Sequence, residues 1–306
     1  MNFACYVSRH VIMAVKILPK QLRMPAFRVY NKLLKICTGK VHIARAYFGS
    51  LFVCDLDDII QSYIFYFGVW EPMISHVTEQ LLRKGDVYVD VGANIGYDSL
   101  LASNCVGGSG KVVSIEASPT IYSHLSNNIA RNRPSNIRLV NVAVSDCRKT
   151  LVIYAGERSN IGKATTIEAR GLRKECSVQA FPIDEILSVD ELNRVSLIKI
   201  DIEGAELPVL SHLIDNLSKY PDNISIIVEA SVPDDPGEWA HVFLRFQEAG
   251  FVSYEIENHY LFDWYLQYNN HSAVKLVKNL PNGQTDILFT RTALPATIRV
   301  CTQSVP

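Results

Sequence analysis

From residue 86 onward, short apolar runs alternate with stretches whose apolar residues recur every three to four positions. This is the pattern of a parallel sheet with crossover helices. The runs predict strands over 87–91, 111–116, 137–142, 196–201, 224–229, 251–256 and 285–290. LIKI and ISIIV are apolar throughout, which predicts central strands covered on both faces. Ser118-Pro119 predicts a helix start, a hydroxyl cap followed by proline, with Ile121, Leu125 and Ile129 on the inner face. Leu207, Leu210, Leu213, Ile214 and Leu217 form a similar face after the fourth strand. Asp235-Pro236 opens a further helix through Phe243 and Phe246, which Gly250 ends.

Two regions break the alternation. Residues 147–183 read as an inserted hairpin, TLVIYAGERSNIGKATTI followed by CSVQAFPI. Residues 257–284 form a long connection holding Tyr260, Phe262, Trp264, Tyr265 and Tyr268. Aromatics at this density are usually core, but a connection of this length also suits a substrate lid. Before the sheet, RHVIMAVKILPKQLRMPAFRVYNKLLK mixes basic and apolar residues at helical intervals, interrupted by Pro19 and Pro25. The chain thus divides into a basic helical extension over 1–64, an α/β domain over 65–292 and a tail over 293–306.

Charge changes this picture at one end. The net charge is −1, yet residues 1–50 carry nine Lys or Arg and no acid, leaving 21 basic against 31 acidic side chains in the remainder. The arm could rest on an anionic membrane surface or attract an acidic glycan. It could equally be a cap that packs on the domain and keeps its lysines in water. It carries no nucleic-acid motif, so nucleic acid is not an expected partner. With 48% hydrophobic and 20% charged residues the chain is of ordinary globular composition and long enough to bury a full core. No stretch approaches the ~20 apolar residues of a bilayer span. Arg9, His10 and Lys16 enclose the apolar run at 11–15 too tightly for a signal peptide. Seven scattered cysteines without a CxxC spacing argue against a disulfide framework and against zinc. These features predict a cytoplasmic home, peripheral to a membrane if the arm docks there, in which the sequons at Asn216, Asn223 and Asn270 are chance matches.

The chemistry is concentrated in DVYVDVGANIG at 86–96 and in Glu116, which closes the next apolar run, KVVSIE. A buried strand, a glycine turn and a helix, with a carboxylate at the end of the second strand, describe a nucleotide pocket whose acid accepts both ribose hydroxyls. A dinucleotide loop requires G-x-G-x-x-G, with glycine where the pyrophosphate crosses the helix start. Here the loop is Gly92, Ala93, Asn94, Ile95, Gly96, and an acid, Asp90, precedes it. Asp90 repels phosphate and suits a ligand with an ammonium group, as S-adenosylmethionine has. The loop would pass under the methionine moiety and Asp90 would hold the ammonium, directly or through water. Glu116, with Ala117 beside it, would bind the ribose. The turn from Asn141 through Ala143 to Val144 would flank the adenine, and Asp146 could accept from its amino group.

Several stretches together make the chain similar to the FkbM family of S-adenosylmethionine-dependent methyltransferases over residues 65–291. They are WEP at 70–72, VDVGANIGY at 89–97, IEASP at 115–119 and AVSD at 143–146. SNIGKATTI at 159–167, PIDEIL at 182–187, LIKIDIEGAE at 197–206 and VEA at 228–230 continue the likeness. The resemblance implies a class I methyltransferase fold, Rossmann-like, with seven strands and the last antiparallel. It also implies methylation of a hydroxyl on a sugar, a glycolipid or a secondary metabolite. Asp98 departs from the family, which usually has an aromatic or small residue there. An acid in a first helical turn reads as a cap before it reads as a substrate contact.

In open α/β sheets chemistry occurs at the carboxyl ends of the strands, which selects Asp201, Glu203 and Glu229. Asp201 would orient cofactor or substrate, and Glu203 or Glu229 would be the base, crowding having raised its pKa. Each acid could instead cap the following helix. His259 is the alternative base, and Asp201 with Glu229 could instead hold magnesium. Lys199 would pair with a sheet-end acid or reach solvent. The loop at 159–166 is a candidate substrate wall. The competing functions are N-methyl transfer, and a non-catalytic membrane-surface protein that retains the pocket.

Overall fold

A computed structural model of the chain describes residues 3–157, 159–168, 171–233, 236–268 and 273–301. The chain begins with helices α1 (Phe3–Val15) and α2 (Lys20–Thr38), a hairpin of β1 (Val41–Arg45) and β2 (Leu51–Asp55), and helices α3 (Ile59–Phe67) and α4 (Pro72–Leu81). The α/β alternation follows as β3 (Val87–Val91), α5 (Tyr97–Val106), β4 (Lys111–Ile115), α6 (Pro119–Asn132) and β5 (Ile137–Val140). The insertion holds β6 (Ala143–Val144), β7 (Lys149–Tyr154) and β8 (Lys174–Phe181). Short helices α7 (Ile183–Ile186) and α8 (Val189–Arg194) lead back to β9 (Val195–Ile200), α9 (Glu206–Asp215), β10 (Ser225–Val232), α10 (Gly237–Glu248) and β11 (Val252–Ile256). The end is α11 (Phe262–Gln267), β12 (Ala273–Val277), β13 (Gly283–Thr290) and β14 (Arg299–Cys301).

All seven expected strands form and lie in the order β5-β4-β3-β9-β10-β13-β11. β13 runs antiparallel to both neighbours, β10 and β11, and the five strands from β5 to β10 are parallel. Every residue of β3 is buried, because helices cover both faces of the central sheet. The sheet nevertheless has nine strands among the described residues, not seven: β12 pairs antiparallel with β11, and β14 pairs parallel with β12 beyond it. β12 was hidden in the aromatic connection, where a five-residue run interrupted by Lys275 gives little periodicity. β14 occupies the segment expected as a tail.

The inserted hairpin is present as β7 against β8, with β6 added parallel to β8. Ser118 caps α6 by accepting a hydrogen bond from the Ile121 amide. The α10 helix begins at Gly237, and Asp235 lies outside the described residues. At the N-terminus, α1 buries Cys5, Ser8, Ile12 and Val15, a stripe at helical spacing. The β1–β2 hairpin behind it alternates buried and open positions. Its edge is closed by α6, since the Val53 and Leu51 amides donate to the side-chain carbonyls of Asn128 and Asn132. The extension therefore packs on the domain over the same apolar cluster that holds Ala93, Ile95 and Leu125 of the cofactor side.

Candidate active site

The loop after β3 is pinned on two sides. The Gly92 and Ala93 amides both donate to the Ile115 carbonyl at the end of β4, at 3.0 and 2.9 Å. On the other side the Asp201 amide donates to the Val91 carbonyl. Gly92 adopts φ +87°, and a Cβ there would stand 1.8 Å from the Asp201 carbonyl oxygen, so only glycine fits. Gly96, at φ +88°, begins α5 beneath Leu125, which a Cβ would meet at 2.7 Å.

Glu116 stands across from this loop. Its Oε2 accepts from the Asn94 amide at 3.0 Å and its Oε1 from the Ser118 amide at 2.9 Å. Burial pushes its carboxyl up to about 7 against those two donors. A carboxylate has about four acceptor positions, so two remain for a ligand. The Asn141 side-chain amide donates to the Glu116 carbonyl at 2.8 Å and holds this strand end in place.

Gly92, Asn94, Glu116, Ala117 and Ala143 border one cavity of about 660 Å³, together with Asp201, Glu203 and Glu229. Residues expected on the cofactor side and on the acceptor side thus share one space. Five other expected residues are elsewhere. Asp90 lies beneath the loop, nearly inaccessible, and accepts from Ser99 Oγ, which in turn accepts from Ser114 Oγ. Ala93 and Gly96 shape the loop from behind, and Asn141 braces it from outside. Asp146 accepts from Lys149 and Ser145 away from the cavity, where Lys149 holds its carboxyl down to about 2. Among the described residues it does not border the cavity, where the adenine contact was expected.

Lys199 is the centre of the charged part. It lies on β9, 4% exposed, with its ammonium 2.8 Å from Asp201, 3.3 Å from Asp98 and 3.7 Å from Glu71. Burial alone would favour neutral lysine, but the surrounding carboxylates outweigh it and keep the charge. Asp98 stands in the first turn of α5, as expected, and its side chain is an ion-pair partner of Lys199. Asp201 is likewise already engaged by an ammonium, which leaves a poor second place for magnesium.

Glu203 lines the cavity in a left-handed conformation, φ +58°, and its carbonyl accepts from Thr165. The turn before α9 is braced by Glu206, whose Oε1 accepts from the Ile202 and Gly204 amides. Thr165 belongs to the polar loop at 159–166, whose residues border the same cavity. His259 is exposed, donates from Nε2 to the Glu257 carboxylate and borders a separate space.

Two further residues border the cavity: Glu71, which the sequence marks only as part of WEP, and Tyr260, from the connection expected as core or as a substrate lid. Glu71 is 3% exposed at φ +43°, a strained geometry for a side chain of this kind. Its Oε1 accepts from the Tyr260 hydroxyl at 2.8 Å, while its Oε2 has no hydrogen-bond partner among the described residues. Burial, against Lys199 and with Asp201, pushes its carboxyl up to about 8. Glu229 is pushed up to about 10 by burial and by Asp201 and Asp286, and its Oε1 accepts from Gln284 at 2.6 Å. Tyr260 stacks on Trp70, ring centres 5.2 Å apart. The rest of the aromatic connection is packing, because Phe262 and Tyr265 are buried against Phe27, Tyr63 and Phe67. A second cavity of about 470 Å³ shares Glu229, Tyr260 and Gln284 with the first and adds Asp286.

Among the described residues, six carboxylic side chains border the main cavity against one lysine, Lys163. Glu71, Asn94 and Asn160 border it, and each has one buried side-chain oxygen without a hydrogen-bond partner among the described residues. Such a lining, rich in carboxyl oxygens, fits a cationic ligand that brings hydrogen-bond donors.

Residues 90–253, more than half of the chain, match the methyltransferase FkbM domain family. The chain belongs to the FkbM methyltransferase family. A curated relative, methyltransferase sdnD of Sordaria araneosa, is 27% identical over 205 residues, which is 52% of this chain and 79% of that protein. Among solved structures, methyltransferase FkbM of Methylobacillus flagellatus KT aligns at a TM-score of 0.43 and 16% identity, over 76% of this chain and 52% of that one, so this chain spans about half its length. An S-adenosylmethionine-dependent O-methyltransferase of Thermotoga maritima aligns at 0.40 and 11% identity, covering 90% and 83%. The chain has the class I methyltransferase fold, and its cofactor is S-adenosylmethionine. Glu116 would hold the ribose, and the 92–96 loop would underlie the methionine moiety. The acids around Lys199 would face the positive charge.

Proposed function

We propose that this methyltransferase acts on a hydroxyl of a small-molecule or glycan acceptor, a sugar-containing or secondary-metabolite compound. One observation carries the reading. A stacked aromatic pair, Trp70 and Tyr260, shares a cavity wall with the carboxyls of Glu71 and Glu229. An aromatic face with adjacent acids suits a polyol ring, whose C–H face packs on the aromatic while its hydroxyls bond to the acids. The cofactor supplies an electrophilic methyl group. The chain must orient the hydroxyl and take its proton. In this reading Asp201 orients, and Glu229 takes the proton. A carboxyl near 10 keeps its proton at pH 7, but a cation beside it favours the ionised form and lowers its pKa. Glu203 is the other carboxylate at this wall. A cytoplasmic enzyme fits the seven cysteines, all of them free, and its basic arm gives it a route to a membrane surface.

The test is incubation with S-adenosylmethionine and parallel panels of hydroxyl and amine acceptors, read by mass. A gain of one methyl on hydroxyl acceptors is expected. Glu229→Gln should lower turnover by about 10²–10⁴-fold with little change in cofactor affinity. Methylation confined to amines would contradict the reading. Intact turnover in both Glu229→Gln and Glu203→Gln would remove both as the base.

A further inference from the structure

Helices α1 and α2 are apolar on two sides. The inner stripes are used, α1 through Cys5, Ile12 and Val15, and α2 through Phe27, stacked on Phe262. The outer stripes face solvent. On α1, Phe3, Val7 and Met13 are exposed, and Ile17 continues them past the helix end at 85%. On α2, Leu22, Val29, Leu33 and Ile36 recur at intervals of seven, four and three, one face of a helix, with Ile36 at 70%. Core packing does not require these residues, and two exposed apolar stripes on adjacent helices exceed the scatter of single surface hydrophobics.

The charge around them decides what covers them. Lys35 pairs with Asp57, Lys40 with Asp55, and Arg23 with Asp263. Lys16, Lys20, Arg28 and Lys32 are exposed and have no ion-pair partner among the described residues. Apolar side chains flanked by unneutralised lysine and arginine, with no acid before residue 55, complement an apolar layer beneath an anionic head-group layer. No described helix is long and apolar enough to cross a membrane, so the fit is to its surface.

We propose that the outer faces of α1 and α2 form a docking surface for an anionic lipid membrane. The surface adjoins the acceptor side of the site: α2 packs on α11 through Phe27 and Arg23, and α11 begins two residues after Tyr260. On the methyl-transfer reading above, the arrangement suits an acceptor carried by that membrane. The docking surface itself does not depend on that reading, and its test needs no acceptor.

The full chain is to be floated with vesicles of phosphatidylcholine, with or without one-third phosphatidylserine. Binding should be about tenfold or more stronger with phosphatidylserine, since each basic residue at such a surface contributes about fivefold. Met13→Asp, Ile17→Asp, Leu33→Asp and Ile36→Asp together should abolish flotation, and Lys16→Glu, Lys20→Glu, Arg28→Glu and Lys32→Glu should do the same. Calorimetric binding of S-adenosylmethionine should be unchanged in both variants, which shows that they fold. Absence of flotation with either vesicle, equal flotation with both, or retained flotation in the variants overturns the proposal. So does a wild-type dimer that these substitutions dissociate, because the faces would then belong to a second copy of the chain.

Discussion

Replacing Gly92 with alanine should remove measurable cofactor binding. The residue has φ +87°, where a side chain costs about 1–3 kcal/mol. The added Cβ would overlap the Asp201 carbonyl oxygen at 1.8 Å and approach its carbonyl carbon at 2.8 Å. Both contacts are backbone, so no rotamer relieves them, and overpacking of this kind costs about a further 1–3 kcal/mol. The relief available is separation of the β3 loop from the end of β9. That movement would break the Asp201 amide bond to Val91 and shift Asp201 relative to Glu116. A loss of at least about 100-fold in S-adenosylmethionine affinity is expected from a strain of this size, with a lower thermal midpoint. Wild-type affinity in a folded Gly92→Ala protein would mean that the ligand does not touch this loop.

Lys199→Met should be the most destabilising single change in the site, by about 3–5 kcal/mol, because it strands buried carboxylates that shared one cation. The loss should depend on pH in a defined direction. Burial raises Glu71 to about 8 and Asp90 and Asp286 to about 7, above the ordinary carboxylate range. Groups raised by folding bind more protons in the folded state, so the stability they contribute is complete below about pH 4 and is lost as the pH rises through 7–8. The wild-type protein without ligand should therefore be less stable at pH 8 than at pH 5. Lys199 lowers all three carboxyls, so its removal raises them further and steepens the decline. Denaturant titration should show a larger deficit for Lys199→Met at pH 8 than at pH 5. Equal deficits at the two pH values, or one below about 1 kcal/mol, would show that the carboxylates do not depend on the lysine.

The cofactor side of the site was legible because its parts are close in the chain. A strand, a glycine turn and Glu116 fall within thirty residues, and each is positioned by the strand that carries it. The acceptor side was much less so. Tyr260 meets Glu71 across 189 positions, through the packing of α11 on α3, which no local pattern reports. Glu71 stands in WEP, a stretch that marks the family but does not reveal that its side chain is buried. Asp98 looks like a helix cap because that is what a first-turn acid does locally, whereas its partner, Lys199, is a hundred residues away on a neighbouring strand. Asp146 differs in that its partner is local. Its place near a strand end suggested the adenine, and its side chain pairs with Lys149, three residues on. In the fold, β12 and β14 escaped detection because five and three residues at a sheet edge carry too little alternation to register.

The central claim is that the bend after β3 carries a sulfonium ligand in a space bordered by carboxylates. It is tested most directly by calorimetric titration of the full chain with S-adenosylmethionine and, separately, with NADH. Saturable heat with S-adenosylmethionine alone is predicted, weakened in Glu116→Ala by about 1–3 kcal/mol through loss of a charged acceptor. Heat from NADH and none from S-adenosylmethionine, with the protein folded, would contradict it.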